Sequence, residues 1–206
     1  MNKCLIIINP KSNGGKCAKF VPVLLDYLNA NKVSYKYVIE SDPQKIKTLA
    51  NEGSKKFSRI VPVGGDGTLN SAMNGLFNSS GNLVSSALFC PIHAGTSPDF
   101  CKSYNIPINP VKSMENILSN NIINIPIGKI IMDKKIAFFM CAASVGIGSY
   151  IADNANSGVR KLLGDVPGTF TSIIKSLIQY KPSSCEIKYN DKRVAINNLT
   201  SLSIGI

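Results

Sequence analysis

The chain has no tryptophan, a single histidine, and only 12 Asp plus Glu to set against 23 Lys plus Arg in 206 residues. Its basic residues fall singly or in short pairs, Lys55-Lys56, Lys134-Lys135 and Arg160-Lys161. A basic stripe interleaved with aromatics is missing, which argues against nucleic acid as the partner. No two of the six cysteines form a C-x-x-C pair, and most sit inside apolar segments. That spacing favours buried, reduced thiols in a cytoplasmic protein over disulfides or zinc. Long hydrophobic runs are also missing. The longest, Ile136 to Ile147, falls short of the roughly 18 residues of a membrane-spanning helix. The apolar stretch Leu5 to Ile8 stops at Asn9-Pro10, too soon for the core of a signal peptide.

What is present is enough apolar sequence for a substantial core, 44% hydrophobic against 17% charged residues, and a net charge of +11. That balance excludes a disordered chain. The charge suits phosphates or the anionic inner leaflet of a membrane, and a basic, solvated surface would account for it equally well.

Strand-like and helix-like patterns alternate through the first part. Lys3 to Asn9 is strand-like, and Phe20, Val23, Leu24, Tyr27 and Leu28 recur at helical spacing. Val33 to Glu40 predicts a second strand, and Pro43 opens a helix carrying Ile46, Leu49 and Ala50. Ile60 to Val63 predicts a buried strand, followed by a helix with Leu69, Ala72, Met73 and Leu76, and Ala87 to Ile92 the next strand. This alternation means crossover units and a parallel sheet covered on both faces. From about Ile122 the pattern changes to strands at Ile122 to Ile131 and Lys135 to Ala143, a helical region reaching Tyr180, and antiparallel strands at Cys185 to Tyr189 and Val194 to Ile206 around Asn190-Asp191. The expected fold is therefore α/β: a parallel-sheet nucleotide-binding domain over 1–121, then a mainly antiparallel, β-sandwich-like domain over 122–206. The apolar strand that runs to Ile206 predicts a chain cut inside this second domain.

Ligands of open parallel sheets bind beyond the carboxyl ends of the strands. Three loops occupy that position: Asn9 to Lys16, Gly64 to Thr68, and Ala94 to Asp99. In Gly64-Gly65-Asp66-Gly67-Thr68, glycines let backbone N–H groups approach an oxygen-rich ligand at a helix start. Asp66 would repel a phosphate directly, but it fits if it bonds a ribose or an amide, or faces Mg²⁺. A tight turn with a helix cap is the other reading of these five residues. Two common phosphate motifs are excluded. Cys17 and Pro10 break a Walker A pattern, and Asn70 and Ile151 break dinucleotide fingerprints begun at Gly65 and Gly146. His93 reads as a satisfied structural residue at a strand end, Asp153 and Asp165 as solvated charges, and Lys16 as either a phosphate-neutralising or an exposed lysine.

The combination Asn9-Pro10-x-Ser12 with following glycines, Gly64 to Asn70, Asn74-Gly75-Leu76 and Gly95-Thr96-x-x-Asp99 resembles the diacylglycerol kinase catalytic family, which includes sphingosine kinases and the bacterial YegS-type lipid kinases. The likeness continues through Phe139 to Gly146 and Tyr180-Lys181-Pro182. The resemblance implies ATP and Mg²⁺ bound between two domains, with the γ-phosphoryl group passed to the hydroxyl of a membrane lipid such as diacylglycerol. It implies nucleotide contacts at Asn9, Pro10, Lys11, Ser12, Asn13, Ser41, Gly64, Gly65, Asp66, Gly67, Thr68, Leu69, Asn70 and Thr96, and catalytic roles for Asp66 and Asp99. The implied enzyme is cytoplasmic and peripheral at an anionic membrane surface, and a homodimer is left open. Ser71, Pro98 and Cys141 stand where the family usually has Glu, Asn and Asn. The family's general base and metal-linked acids fall beyond Ile206. Gly-Gly-Asp-Gly-Thr alone is shared with NAD kinases, so an NAD kinase-like enzyme is one alternative, and a catalytically inactive nucleotide- or lipid-binding homologue is another.

Overall fold

A computed structural model describes residues 3–132, 135–154 and 165–206. Lys134, Arg160 and Lys161, the 155–164 part of the expected helical region, and the side chains of Asp153 and Asp165 lie outside what is described. The described chain forms two compact units, 1–141 with Ile206, and 142–205.

In the first unit a parallel sheet runs in the order β2 (Ser34–Ile39), β1 (Lys3–Ile8), β3 (Arg59–Gly64), β4 (Leu88–Phe89), and β5 (Ile92–His93) pairs with the far end of β3. Successive side chains of a strand point to opposite faces, and β1 uses both. Cys4, Ile6 and Ile8 pack with Leu24 and Leu28 of α1 (Lys16–Ala30) and with Met114 and Ile117 of α5 (Pro110–Leu118). Leu5 and Ile7 pack with Ile46 and Ala50 of α2 (Pro43–Ser54) and with Ala72 and Leu76 of α3 (Asp66–Gly75). The helices start where local chemistry dictates. Asp42 accepts from the Gln44 and Lys45 amides with Pro43 in the first turn, and Asn109 does the same for Val111 and Lys112 ahead of α5.

The predicted strand Ala87 to Ile92 is two short strands. Pro91 lies between them and has no N–H to give to the ladder. The strand predicted from Ile122 begins only at Gly128, just beyond Pro126. It forms the antiparallel hairpin of β6 (Gly128–Met132) and β7 (Lys135–Phe139). This hairpin belongs to the first unit, so the 121/122 boundary drawn from the sequence lies inside that unit. Two features hold it there. The Asn74 amide donates to the Phe138 carbonyl and accepts the Phe138 N–H, both at 2.9 Å. Phe77 stacks on Phe138 with centroids 4.0 Å apart, over a cluster that includes Leu69, Met73, Phe100 and Met140.

In the second unit β8 (Ala142–Gly146) pairs antiparallel with β11 (Ser201–Gly205), and β9 (Ser183–Tyr189) with β10 (Lys192–Leu199). The β9–β10 turn falls at Asn190, whose φ of 51° is left-handed, as the Asn-Asp pair led us to expect. Among the described residues this unit also holds helices α6 (Ile147–Asn154) and α7 (Asp165–Gln179). Tyr180 donates to the Leu199 carbonyl at 2.8 Å. All six cysteines are free, and Cys4, Cys17, Cys90 and Cys101 are buried. No helix among the described residues is long and apolar enough to cross a membrane.

Candidate functional site

The carboxyl ends of β1, β3 and β5 bring the three loops to one rim of the sheet. Asn9 leaves β1 by donating its backbone N–H to Val63 at 3.0 Å, and its side-chain amide donates to Thr68 Oγ1 at 2.8 Å. Asn9 Oδ1 accepts the Lys11 N–H, and the Ser12 N–H donates to the Asn9 carbonyl. Ser12 Oγ accepts the Gly65 N–H at 3.2 Å and sits 3.5 Å from Thr68 Oγ1. The first loop is thereby tied to the second by three side chains. Asn13, Gly14 and Gly15 follow at φ of 54°, 60° and 89°, a left-handed run that glycine tolerates.

Helix α3 starts at Asp66 with Gly65 before it and no side-chain cap. The Gly65 carbonyl takes the Thr68 and Leu69 N–H groups. The amides of Asp66 and Gly67 have no acceptor among the described residues, and the space over the Gly67 α-carbon is open. Two unpaired donors at a helix start form a favourable place for an anion. Thr68 is buried, and its hydroxyl is held by Asn9 and Ser12, so it braces the loop from beneath. A β-carbon on Gly64 would lie 2.7 Å from the Thr68 side chain. Leu69 is directed into the core, and the Asn70 carbonyl accepts from Asn74. Lys11 and Thr96 are exposed, and Ser41 is half-buried at the end of β2 with its N–H on Glu40. Lys16 is exposed at the start of α1.

Asp66 does not point at the open donors. Its Oδ2 accepts the N–H groups of Asp99 and Phe100, at 3.0 and 3.4 Å, and so caps the start of α4 (Asp99–Ser103). Bonding to amides is one of the roles that the sequence left open for Asp66, beside a ribose and Mg²⁺. Asp66 Oδ1 is buried with no hydrogen-bond partner among the described residues, 3.8 Å from His93 Nε2. Burial raises the Asp66 pKa above its ordinary value, against the lowering effect of the Phe100 amide, the His93 ring and the Asp99 amide. His93 itself is buried and lies 3.1 Å from the Ser97 carbonyl, which requires the proton on Nε2. The Asp99 side chain is exposed. The thiol of Cys141 is raised by burial first and then by the charges of Asp66 and Asp99, which places it in the field of both acids. Cys101 is pushed up to about 12 by burial and by Asp66. Ser71, at the departure from the family pattern, bonds back to the Gly67 carbonyl at 2.8 Å.

Two further residues, Gly95 and His93, shape the rim. A β-carbon on Gly65 would meet the Gly95 α-carbon at 3.3 Å, and one on Gly95 would run into the Gly65 backbone. His93 faces Asp66 across the same contact. Gly95 was signalled by its place at the head of the motif Gly-Thr-x-x-Asp, and His93, the single histidine, by its place at a strand end, where it reads as structural.

A family profile described as the diacylglycerol kinase catalytic domain matches residues 3–130. The chain belongs to that family. It is 27% identical over 129 residues to the probable lipid kinase YegS of Escherichia fergusonii, covering 63% of this chain and 41% of that protein. It is 25% identical over 191 residues to a diacylglycerol kinase of Staphylococcus saprophyticus, covering 91% and 59%. A diacylglycerol kinase crystal structure from Bacillus anthracis shares the fold at a TM-score of 0.68 and 18% identity, over 99% of this chain and 64% of that one. The chain thus spans between about two-fifths and three-fifths of the length of these curated relatives. Its membership of a family of diacylglycerol kinase-like lipid kinases rests on the profile and these relatives, and its mixed α/β architecture with a parallel first sheet and antiparallel strand pairs matches the neighbour.

Proposed function

We propose that this chain is the nucleotide-binding part of an ATP-dependent lipid kinase that passes the γ-phosphoryl group of ATP to the hydroxyl of a membrane lipid such as diacylglycerol. The observation that carries the reading is the uncapped start of α3, where the Asp66 and Gly67 amides are unpaired beneath open space. Phosphoryl transfer depends mainly on positioning and electrostatic stabilisation. In this proposal the Asp66 and Gly67 amides take phosphate oxygens, and Asn9, Ser12 and Thr68 keep those amides aimed. Asp66, through its bonds to Asp99 and Phe100, fixes α4 and hence the Asp99 carboxylate beside the phosphates.

No three His, Cys, Asp or Glu cluster as a metal site among the described residues. Mg²⁺ commonly rests on one or two carboxylates plus substrate phosphates and water, and the exposed Asp99 carboxylate fits as one such donor. Bound there, the ion would neutralise charge on the transferring phosphate. Acceptor deprotonation is assigned to none of these residues. Membership of the kinase family favours this reading over an NAD kinase-like one.

Calorimetric titration with ATP and Mg²⁺ tests the proposal on wild type and Gly67→Ala. The variant adds a methyl group to open space and should fold normally, yet block the phosphate. We expect its affinity to fall at least about tenfold, about 1.4 kcal/mol. Equal affinity in the two proteins, or no ATP binding, refutes the site. Transfer of labelled γ-phosphate by the full-length protein to diacylglycerol, phosphatidylglycerol and sphingoid bases in mixed micelles identifies the acceptor, and its absence for every lipid would favour the inactive homologue.

A further inference from the structure

At the amino end of β3, about 16 Å of strand from Gly64 at 3.3 Å per residue, Arg59 is 3% exposed in the floor of a cavity of about 410 Å³ within the first unit. Cationic side chains are rarely buried without an anion, and no carboxylate lies within 4.0 Å of this one among the described residues. One Nη donates to the Ser119 carbonyl at 3.1 Å, just past the end of α5, and the other to Cys90 Sγ at 3.7 Å. Nε, equally buried, has no hydrogen-bond partner among the described residues. A guanidinium has five N–H donors in a planar fork, so most of its capacity for a planar, two-oxygen anion is unspent.

The rest of the cavity has a different chemistry. Phe89, Phe100, Ile106 and Ile125 line it with apolar surface, and Asn105 and Asn116 add amide groups. The volume lies within the range of small-molecule sites, which combine apolar walls with a few placed polar groups.

We propose that this cavity is a second ligand site, separate from the nucleotide rim, for an anionic amphiphile: a carboxylate head on the Arg59 fork and a short alkyl tail along the Phe and Ile wall. Carboxylate matches a fork better than a single-point acceptor does, and the apolar wall selects for a tail. Apart from Phe100, whose backbone N–H is held by Asp66, the site rests on residues that the proposed kinase reaction does not use, so binding here can be tested separately from that reaction.

Calorimetric titration of the chain with decanoate, decanol, acetate and inorganic phosphate tests it, using wild type, Arg59→Gln and Ile106→Trp. Decanoate is expected to bind wild type at least tenfold more tightly than any of the other three probes, and both substitutions should weaken it at least tenfold. Ile106→Trp fills the tail wall and leaves the charge untouched, so the test holds even if Arg59→Gln does not fold. Decanol binding as well as decanoate overturns the role of Arg59, and acetate or phosphate binding as well as decanoate overturns the amphiphile. Wild-type affinity in Ile106→Trp, or no decanoate binding, overturns the site.

Discussion

Asp66 joins folding and the proposed chemistry in one side chain, and two substitutions separate them. Asp66→Ala removes the acceptor for the Asp99 and Phe100 amides. Loss of such a cap costs about 1 kcal/mol, which in a protein of this size lowers Tm by about 3 °C. Asp66→Asn keeps one oxygen for the Asp99 amide, so its Tm at neutral pH should not fall by more than about 1 °C, a fraction of that cap energy. Both variants lose the charge, and γ-phosphate transfer by the full-length protein should drop at least about 100-fold, the usual effect of removing one electrostatic group from a transition state. The pH dependence gives an independent check. Burial raises the folded pKa of Asp66 above its ordinary 3.8. The folded state therefore holds this proton more tightly than the unfolded one, and the resulting stability is present at low pH and lost as pH rises through the folded pKa. The Tm of Asp66→Asn minus that of wild type should accordingly grow as pH rises across that range and then level off. A difference that stays flat or shrinks refutes the burial argument, and near-normal turnover of Asp66→Ala under saturating ATP and Mg²⁺ refutes the functional one.

Gly95→Ala should push the Gly65 loop away, destabilise the protein by about 1–3 kcal/mol as overpacking does, and weaken ATP binding; unchanged denaturation and titration curves would contradict the backbone contact. Asn74→Ala should cost about 2 kcal/mol, because two Phe138 backbone groups lose their partners. Urea denaturation measures this loss, and a change under about 0.5 kcal/mol, the low end for one such bond, would show that water replaces the amide. If the net charge of +11 helps hold the protein on anionic membranes, at about 1 kcal/mol for each surface Lys or Arg, co-sedimentation with anionic vesicles should weaken as salt rises. Equal binding to neutral and anionic vesicles at low salt removes that role.

The parallel sheet was legible because β1 and β3 carry their burial in consecutive residues, and because Pro43 and the spacing of Ile46, Leu49 and Ala50 mark a helix start and its face. The three rim loops were legible as loops that follow strands. What could not be read was long-range. Whether Pro91 bends a strand or divides it depends on the ladder with β3. That Asp66 turns to the amides of α4 depends on a loop more than 30 residues away in sequence. The β6–β7 hairpin looked like the opening of the second domain because its residues alternate as strands do. It joins the first unit because the Asn74 amide reads both polar groups of Phe138 and Phe77 stacks on its ring.

The meeting of Gly65 with Gly95 has a consequence for the entropy of binding. With backbone against backbone, no side-chain rotamer lies between the loop after β3 and the loop after β5, and neither can shift without moving the other. Ser12 and Asn9 fasten the remaining loop to the same body. An arriving phosphate would therefore meet amides already immobilised while the chain folds, and the ordering that flexible glycine loops usually impose on their ligands is settled before any ligand arrives.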